Sequence, residues 1–288
     1  MNEGVGLHAE VDGPADAPPV LFLHGVTGSA RTWDWLPPGV TRGRRIVRMD
    51  FRGHGRSDHA PGTYDVTRHG DDVLAVLREL GAVPAVLVGH SLGATVVWWL
   101  AQSHPEVVRA GLLEDPPLYK GDLRTPAGEP FRLVFERSRA NALAWQEAGL
   151  TEAEAADRIG ATAWGPPGAP TVREAAFPDA LDAMAFAHLR MDVTVLDGAI
   201  DGSTLASLDV ISPVTPPLTV VAADDARGAV FTGEDAARLA QTHPQVEVVR
   251  VDGSGHGIHF ERASREIFLG HLERFLDLHA PATRAPTG

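Results

Sequence analysis

Apolar residues gather in short continuous runs, separated by polar stretches rich in glycine and proline. Val20-Leu21-Phe22-Leu23, Arg45-Ile46-Val47-Arg48-Met49, Ala85 to Val88, Ala110-Gly111-Leu112-Leu113, Leu218 to Ala222 and Val246 to Val251 are the strand candidates. They are too short for helices, and the most apolar of them do not alternate, as expected of strands buried on both faces. Val5 to Val11 alternates in part and predicts an edge strand. Between these runs the spacing becomes helical. Asp65 is placed to cap a helix from Val66 to Leu80, with Val73, Leu74, Val76, Leu77 and Leu80 on one side. Ser29 is placed to cap a short helix carrying Trp33 and Trp35, and Ala94 to Ala101 reads as a buried helix. Thr232 to Gln241 and an amphipathic stretch from Glu261 to Leu278 complete the set. Strands alternating with helices predict a parallel sheet.

The alternation stops in the middle of the chain. From Leu118 to Ile211 no strand is predicted, and Arg132 to Gly149, Thr151 to Ile159, Ala175 to Met191 and Gly202 to Leu208 are helix candidates. Gly165-Pro166-Pro167-Gly168 separates two of them. The expected organisation is an α/β core from 1–117 and 212–280, a helical insertion at 118–211, and a loose tail at 281–288.

Composition narrows the chemistry. A net charge of −13 argues against nucleic acid or an anionic membrane as partner. The absence of cysteine removes disulfides, thiolate metal sites and a cysteine nucleophile. Met1-Asn2-Glu3-Gly4 is not followed by a basic region and apolar core, and no apolar run approaches the length of a membrane span. The expected location is cytoplasmic. No ligand-spaced cluster such as His-Glu-X-X-His predicts a metal, and Gly-X-Gly-X-X-Gly is missing after the first strand, so no cofactor is expected.

The candidate chemistry centres on Gly89-His90-Ser91-Leu92-Gly93, between an apolar strand and an apolar helix. A serine on so tight a turn needs unusual backbone angles and free space, which flanking glycines provide. It would stand at the sheet edge beside the first amides of a helix. A serine hydroxyl also needs a base. Among 13 histidines, His256 lies in the glycine-rich loop Asp252-Gly253-Ser254-Gly255-His256-Gly257 after the last strand, where a ring can reach the sheet edge. His90 and His259 are read as packing residues. The backbone amides of Leu92 and of Val26, after His24-Gly25, are the candidate oxyanion donors. Trp33, Trp145 and Trp164 are candidate walls of a substrate pocket, against an alternative in which they only pack.

Four motifs in this order resemble the α/β-hydrolase family over nearly the whole chain: His24-Gly25, the loop Asp50 to Asp58, Gly89-His90-Ser91-Leu92-Gly93, and Gly253-Ser254-Gly255-His256. The resemblance implies an eight-stranded, mostly parallel sheet flanked by helices, with a helical cap inserted after the sixth strand. It implies a supporting role for Asp50 to Asp58. The family usually takes its third catalytic residue, a carboxylate, from the loop after the seventh strand. That loop reads Ala223-Asp224-Asp225-Ala226-Arg227, and the expected position holds Ala226. Some members place the acid after the sixth strand instead. Counting from His104-Pro105 then reaches Asp115, which is the preferred acid, with Asp225, Asp224 and Glu114 as alternatives.

The expected function is cofactor-independent hydrolysis of a medium-sized, largely apolar ester or lactone through an acyl-enzyme, by a monomer or homodimer. Carbon–carbon or amide bond cleavage, a lyase reaction and ligand binding without turnover are the alternatives. Family members with haloalkane dehalogenase or epoxide hydrolase chemistry carry aspartate where this chain has Ser91.

Overall fold

The computed structural model describes residues 1–120, 129–164 and 170–283, so the 165–168 separator and the last five residues of the expected tail lie outside the described residues. Seven strands form one sheet: β1 (Ala9–Asp12), β2 (Pro19–Leu23), β3 (Arg45–Met49), β4 (Ala85–His90), β5 (Val108–Glu114), β6 (Leu218–Ala222) and β7 (Glu247–Arg250). Their order is β1-β3-β2-β4-β5-β6-β7, with β1 antiparallel to β3 and every other pair parallel.

The helices are α1 (Pro38–Thr41), α2 (Val66–Glu79), α3 (Leu92–Ser103), α4 (Glu129–Glu147), α5 (Glu152–Gly160), α6 (Val172–Ala175), α7 (Pro178–Arg190), α8 (Val195–Asp201), α9 (Gly233–Thr242) and α10 (Arg265–His279). Strand β2 shows why its apolar run is continuous. Leu21 and Leu23 enter the cluster that holds Val73, Leu77, Val97 and Leu239 of α2, α3 and α9. Val20 and Phe22 point the other way, into the cluster of Trp33, Phe268 and Leu272. With helices on both faces, neither side of the strand tolerates a polar residue. Helices α4 to α8 fall between β5 and β6. A third cluster, Trp145, Ala155, Ile159, Ala180, Leu181, Ala185 and Phe260, lies among α4, α5, α7 and the loop that follows His256. Among the described residues no helix is long and apolar enough to cross a membrane.

Local chemistry sets most boundaries. Asp65 caps α2 by accepting from the Thr67 and Arg68 amides at 3.0 and 3.1 Å. The structure corrects four expectations. The described residues form seven strands, not eight, and the expected strand over Val5–Val11 is confined to Ala9–Asp12. Asn2 and Val5 exchange two backbone hydrogen bonds across Glu3 and Gly4, both at positive φ, so the chain turns there instead of extending. The helix expected over Ala175–Met191 starts only at Pro178, as α7, because Phe177 before Pro178 adopts extended angles of −72° and 152°, and Ala175 instead ends α6. Gly202–Leu208 forms only a 3-10 turn at Ser203–Leu205. The helix there is α8, and Gly202 ends it at a φ of 86°.

Arg52 and Asp72 form a bidentate pair at 2.6 and 2.7 Å, buried between the Asp50–Asp58 loop and α2. Asp72→Ala would strand the guanidinium. The expected loss is about 3–5 kcal/mol of unfolding free energy, read from urea transitions. A loss under about 1 kcal/mol would mean that water reaches the pair.

Candidate active site

Strand β4 ends at His90, and α3 begins at Leu92, so Ser91 alone makes the turn. It does so at φ 52° and ψ −114°, angles that a side chain rarely adopts. Both flanking glycines are required by contact. A Cβ on Gly89 would lie 2.4 Å from the Gly93 carbonyl carbon, and one on Gly93 would lie 2.5 Å from the Leu23 carbonyl oxygen. The turn is pinned by the Ser91 amide donating to Glu114 C=O at 3.0 Å and the Gly93 amide donating to His24 C=O at 3.1 Å.

Val26 and Leu92 are both nearly buried, and among the described residues neither amide donates to a protein acceptor. Gly25 lies against the serine: a Cβ there would be 3.3 Å from Ser91 Cβ and 2.8 Å from His90 Nδ1. The Gly25–Val26 peptide is held through its oxygen, which accepts from Gly28 N–H at 2.9 Å and from His24 Nδ1–H at 2.7 Å. The other His24 nitrogen accepts from the Phe51 amide at 3.1 Å, which fixes the ring tautomer.

His256 Nδ1–H donates to Asp115 Oδ2 at 2.7 Å, which leaves Nε2 as the basic nitrogen. The imidazole is one-third exposed, whereas the carboxylate has no exposure. Asp115 follows β5 at a φ of 42°. Its Oδ1 accepts from the amides of Ala223 and Phe231 at 3.2 and 3.1 Å, and its Oδ2 also accepts from Val230 N–H at 2.8 Å. Ser91 Oγ and His256 make no hydrogen bond in this structure.

The alternative acids are engaged elsewhere. Asp224 accepts from the Ala226 and Gly253 amides at 2.9 and 2.8 Å, and those bonds hold its carboxyl below the usual range. Asp225 pairs with Arg250 at 2.6 Å and accepts from Gly233 N–H. Glu114 is fully buried and meets His259, its two oxygens facing the His259 amide at 3.0 Å and Nδ1 at 2.6 Å. Burial pushes Glu114 up to about 7. Burial also holds His259 well below its ordinary value, with the Arg265 charge adding to the effect. The pair therefore favours its uncharged form, one proton lying between carboxyl and imidazole. Sequence reasoning took His259 as packing and missed this pair. The available signal was a glutamate ending an apolar strand, a position where burial demands a partner.

His90 is neutral. Burial lowers it to about 3, and its Nε2–H donates to His256 C=O at 3.2 Å. The two rings lie 4.8 Å apart. Trp33 and Trp145 are both packed in hydrophobic clusters. Trp33 has no exposure, is stacked on His259 at 4.4 Å and is packed in the core. The cavity of about 320 Å³ that it borders is lined by Asp12, Asp34, Leu36, Thr41, Ile46 and Arg48, none of them part of the Ser91 group. Trp145 is buried in the cluster of the inserted helices. Trp164 stands nearer the site, its Nε1–H donating to Glu261 Oε1 at 2.6 Å. Among the described residues no group of three or more His, Asp or Glu is arranged to hold a metal.

Comparison with known proteins adds the following. The family described as the alpha/beta hydrolase fold matches residues 18–263. The chain is 38% identical to the sn-1-specific diacylglycerol lipase ABHD11 of Mus musculus over 108 residues, 36% of this chain and 34% of that one. It is 37% identical to the bifunctional esterase/perhydrolase DCH of Acinetobacter calcoaceticus over 138 residues, 46% of this chain and 50% of that one. These matches span about a third to a half of the relatives' length. Among solved structures, Est816, an N-acyl homoserine lactone degrading enzyme, superposes with a TM-score of 0.70 at 26% identity, covering 96% of this chain and 98% of that one.

The Glu114–His259 pair predicts a pH effect on stability. An acid raised in the fold above its unfolded value stabilises the fold below that unfolded value, near 4.5, and the contribution is lost as pH rises toward and past about 7. Glu114→Gln mimics the protonated acid. Relative to the native chain it should gain stability between about pH 5 and about pH 8 in urea unfolding. An unchanged difference between the two proteins across that range would show that Glu114 does not titrate there.

Proposed function

The chain belongs to the α/β-hydrolase family, and from that premise we propose that it is a cofactor-independent serine hydrolase of carboxylic esters or lactones. The observation that carries the reading is the alignment of His256 on a buried carboxylate, Nδ1 to Asp115 Oδ2 at 2.7 Å, beside a serine held at φ 52°. In the proposed reaction Ser91 Oγ attacks the carbonyl carbon as His256 Nε2 takes its proton. The amides of Val26 and Leu92 receive the developing oxyanion. His256 returns the proton to the leaving alkoxide, and the alcohol departs. Water then attacks the acyl-enzyme, giving its proton to His256, and Ser91 is regenerated with release of the acid. Asp115 orients the ring and stabilises its charged form.

The inserted helices act as a cap over the site and, with their apolar cluster, favour a medium-sized, largely apolar small molecule. The esterase activity in the name of one relative and the lactone substrate named for Est816 support the ester and lactone classes. Cytoplasmic location and a monomer or homodimer are part of the same proposal.

A fluorophosphonate probe tests this reading by mass spectrometry. Ser91 is the expected site of modification, and Ser91→Ala and His256→Ala are expected to abolish labelling. Asp115→Asn should lower kcat/KM on ester and lactone panels by about 10³–10⁴-fold, while Asp225→Asn leaves it within about threefold. Turnover that persists in Ser91→Ala would remove the acyl-enzyme and favour a lyase reaction with His256 as base.

A further inference from the structure

The loop that carries His256 is joined to the inserted helices at several points. Phe260, four residues on, packs in their cluster with Trp145, Ile159 and Leu181. Phe177 N–H donates to Phe260 C=O at 3.0 Å, and Arg262 N–H donates to Ala175 C=O at 2.9 Å, flanking an antiparallel bridge between Ala176 and Glu261. Arg265 donates to His259 C=O at 2.7 Å and to both oxygens of Asp179 at the start of α7, at 3.0 and 2.7 Å.

Glu261 makes the most direct of these links. It is 2% exposed. Its Oε1 accepts from Trp164 Nε1–H at 2.6 Å and from Gly255 N–H at 2.9 Å. Trp164 belongs to the insertion, and Gly255 immediately precedes His256. One buried oxygen thus holds both. The approach depends on glycine, since a Cβ on Gly255 would lie 2.4 Å from that oxygen.

We infer that Trp164 and Glu261 are positioning residues that couple the seating of the inserted helices on substrate to the placement of the His256 ring over Ser91. This rests on the reading of His256 as the base. Asp115 fixes the Nδ1 side of the ring. The backbone at Gly255 and His256 decides where Nε2 points, and that backbone is held by Glu261 and by His90. Ser91 and His256 make no hydrogen bond in this structure, so forming one requires the ring and the hydroxyl to approach each other, and the backbone at Gly255 and His256 sets that approach. Substrate packed under the helices would drive that approach through Trp164, so the base would be aligned best when the site is filled.

The test uses the full chain with Trp164→Phe, Glu261→Ala, Glu261→Gln and His256→Ala. A p-nitrophenyl ester reports kcat and KM, the fluorophosphonate reports the rate of Ser91 labelling, and hydrogen exchange reports the Gly255 amide. Trp164→Phe and Glu261→Ala should lower kcat and the labelling rate about 10-fold with KM within about twofold, and speed exchange at Gly255. Glu261→Gln keeps an acceptor oxygen and should recover most of the loss. A change in KM alone would make Trp164 a pocket wall and overturn the inference. So would native rates in both Trp164→Phe and Glu261→Ala while His256→Ala is inert. Native labelling in His256→Ala would instead overturn the assignment of the base, and the coupling with it. If Glu261→Ala fails to fold, as judged by its thermal transition, Trp164→Phe decides.

Discussion

Four donors converge on one buried carboxylate, and much of the sheet edge is arranged around it. The oxygens of Asp115 take the amides of Ala223, Val230 and Phe231 and the imidazole of His256. A buried carboxylate is tolerable only when its lone pairs are met, so three separate segments must arrive at the end of β5 together. These are the end of β6, the turn before α9 and the loop after β7. The parallel sheet makes that possible, since these strands release their following loops at the same edge. The same edge presents Ser91 after β4.

Consecutive residues of this strand end serve two different histidines. Asp115 meets His256, and Glu114 meets His259. The first ring is one-third exposed and keeps a free nitrogen; the second is enclosed by Trp33, Phe260 and His90. The enclosed pair gives up its charge, and in exchange it anchors the loop from which the open one works. Exposure of the imidazole separates two chemically similar carboxylate–imidazole pairs: one ring keeps a nitrogen open to the site, and the other is enclosed and holds backbone.

The sequence made some of this legible and hid the rest. Buried strands betray themselves because β2, and β4 up to its last residue His90, carry no polar residue on either face, and Asp65 announces α2 through its cap. Ser91 is legible because the glycines that make room for it are local. The acid is harder to read. Asp115 and His256 are 141 residues apart, and nothing near Asp224 or Asp225 reveals that those carboxylates are spent on turns and on Arg250. Tryptophan positions in the helical insertion were the least readable. Trp145 and Trp164 look alike in sequence, and only the fold buries one inside a cluster and sets the other at that cluster's edge, beside Gly255.

The left-handed backbone at Asp115 limits what the position can become. At a φ of 42°, glycine fits best, and asparagine and aspartate are the side-chain-bearing residues that enter this region most readily. Pro116 and Pro117 follow directly and restrict the exit of the chain. Within this backbone aspartate is the acid best suited to deliver a charge to His256 Nδ1. Asparagine would preserve the turn and remove the charge. Under the proposed mechanism, descent through that single exchange would leave a molecule that folds like its parent with its hydrolysis impaired, so shape alone would not distinguish a working member of this lineage from a silenced one.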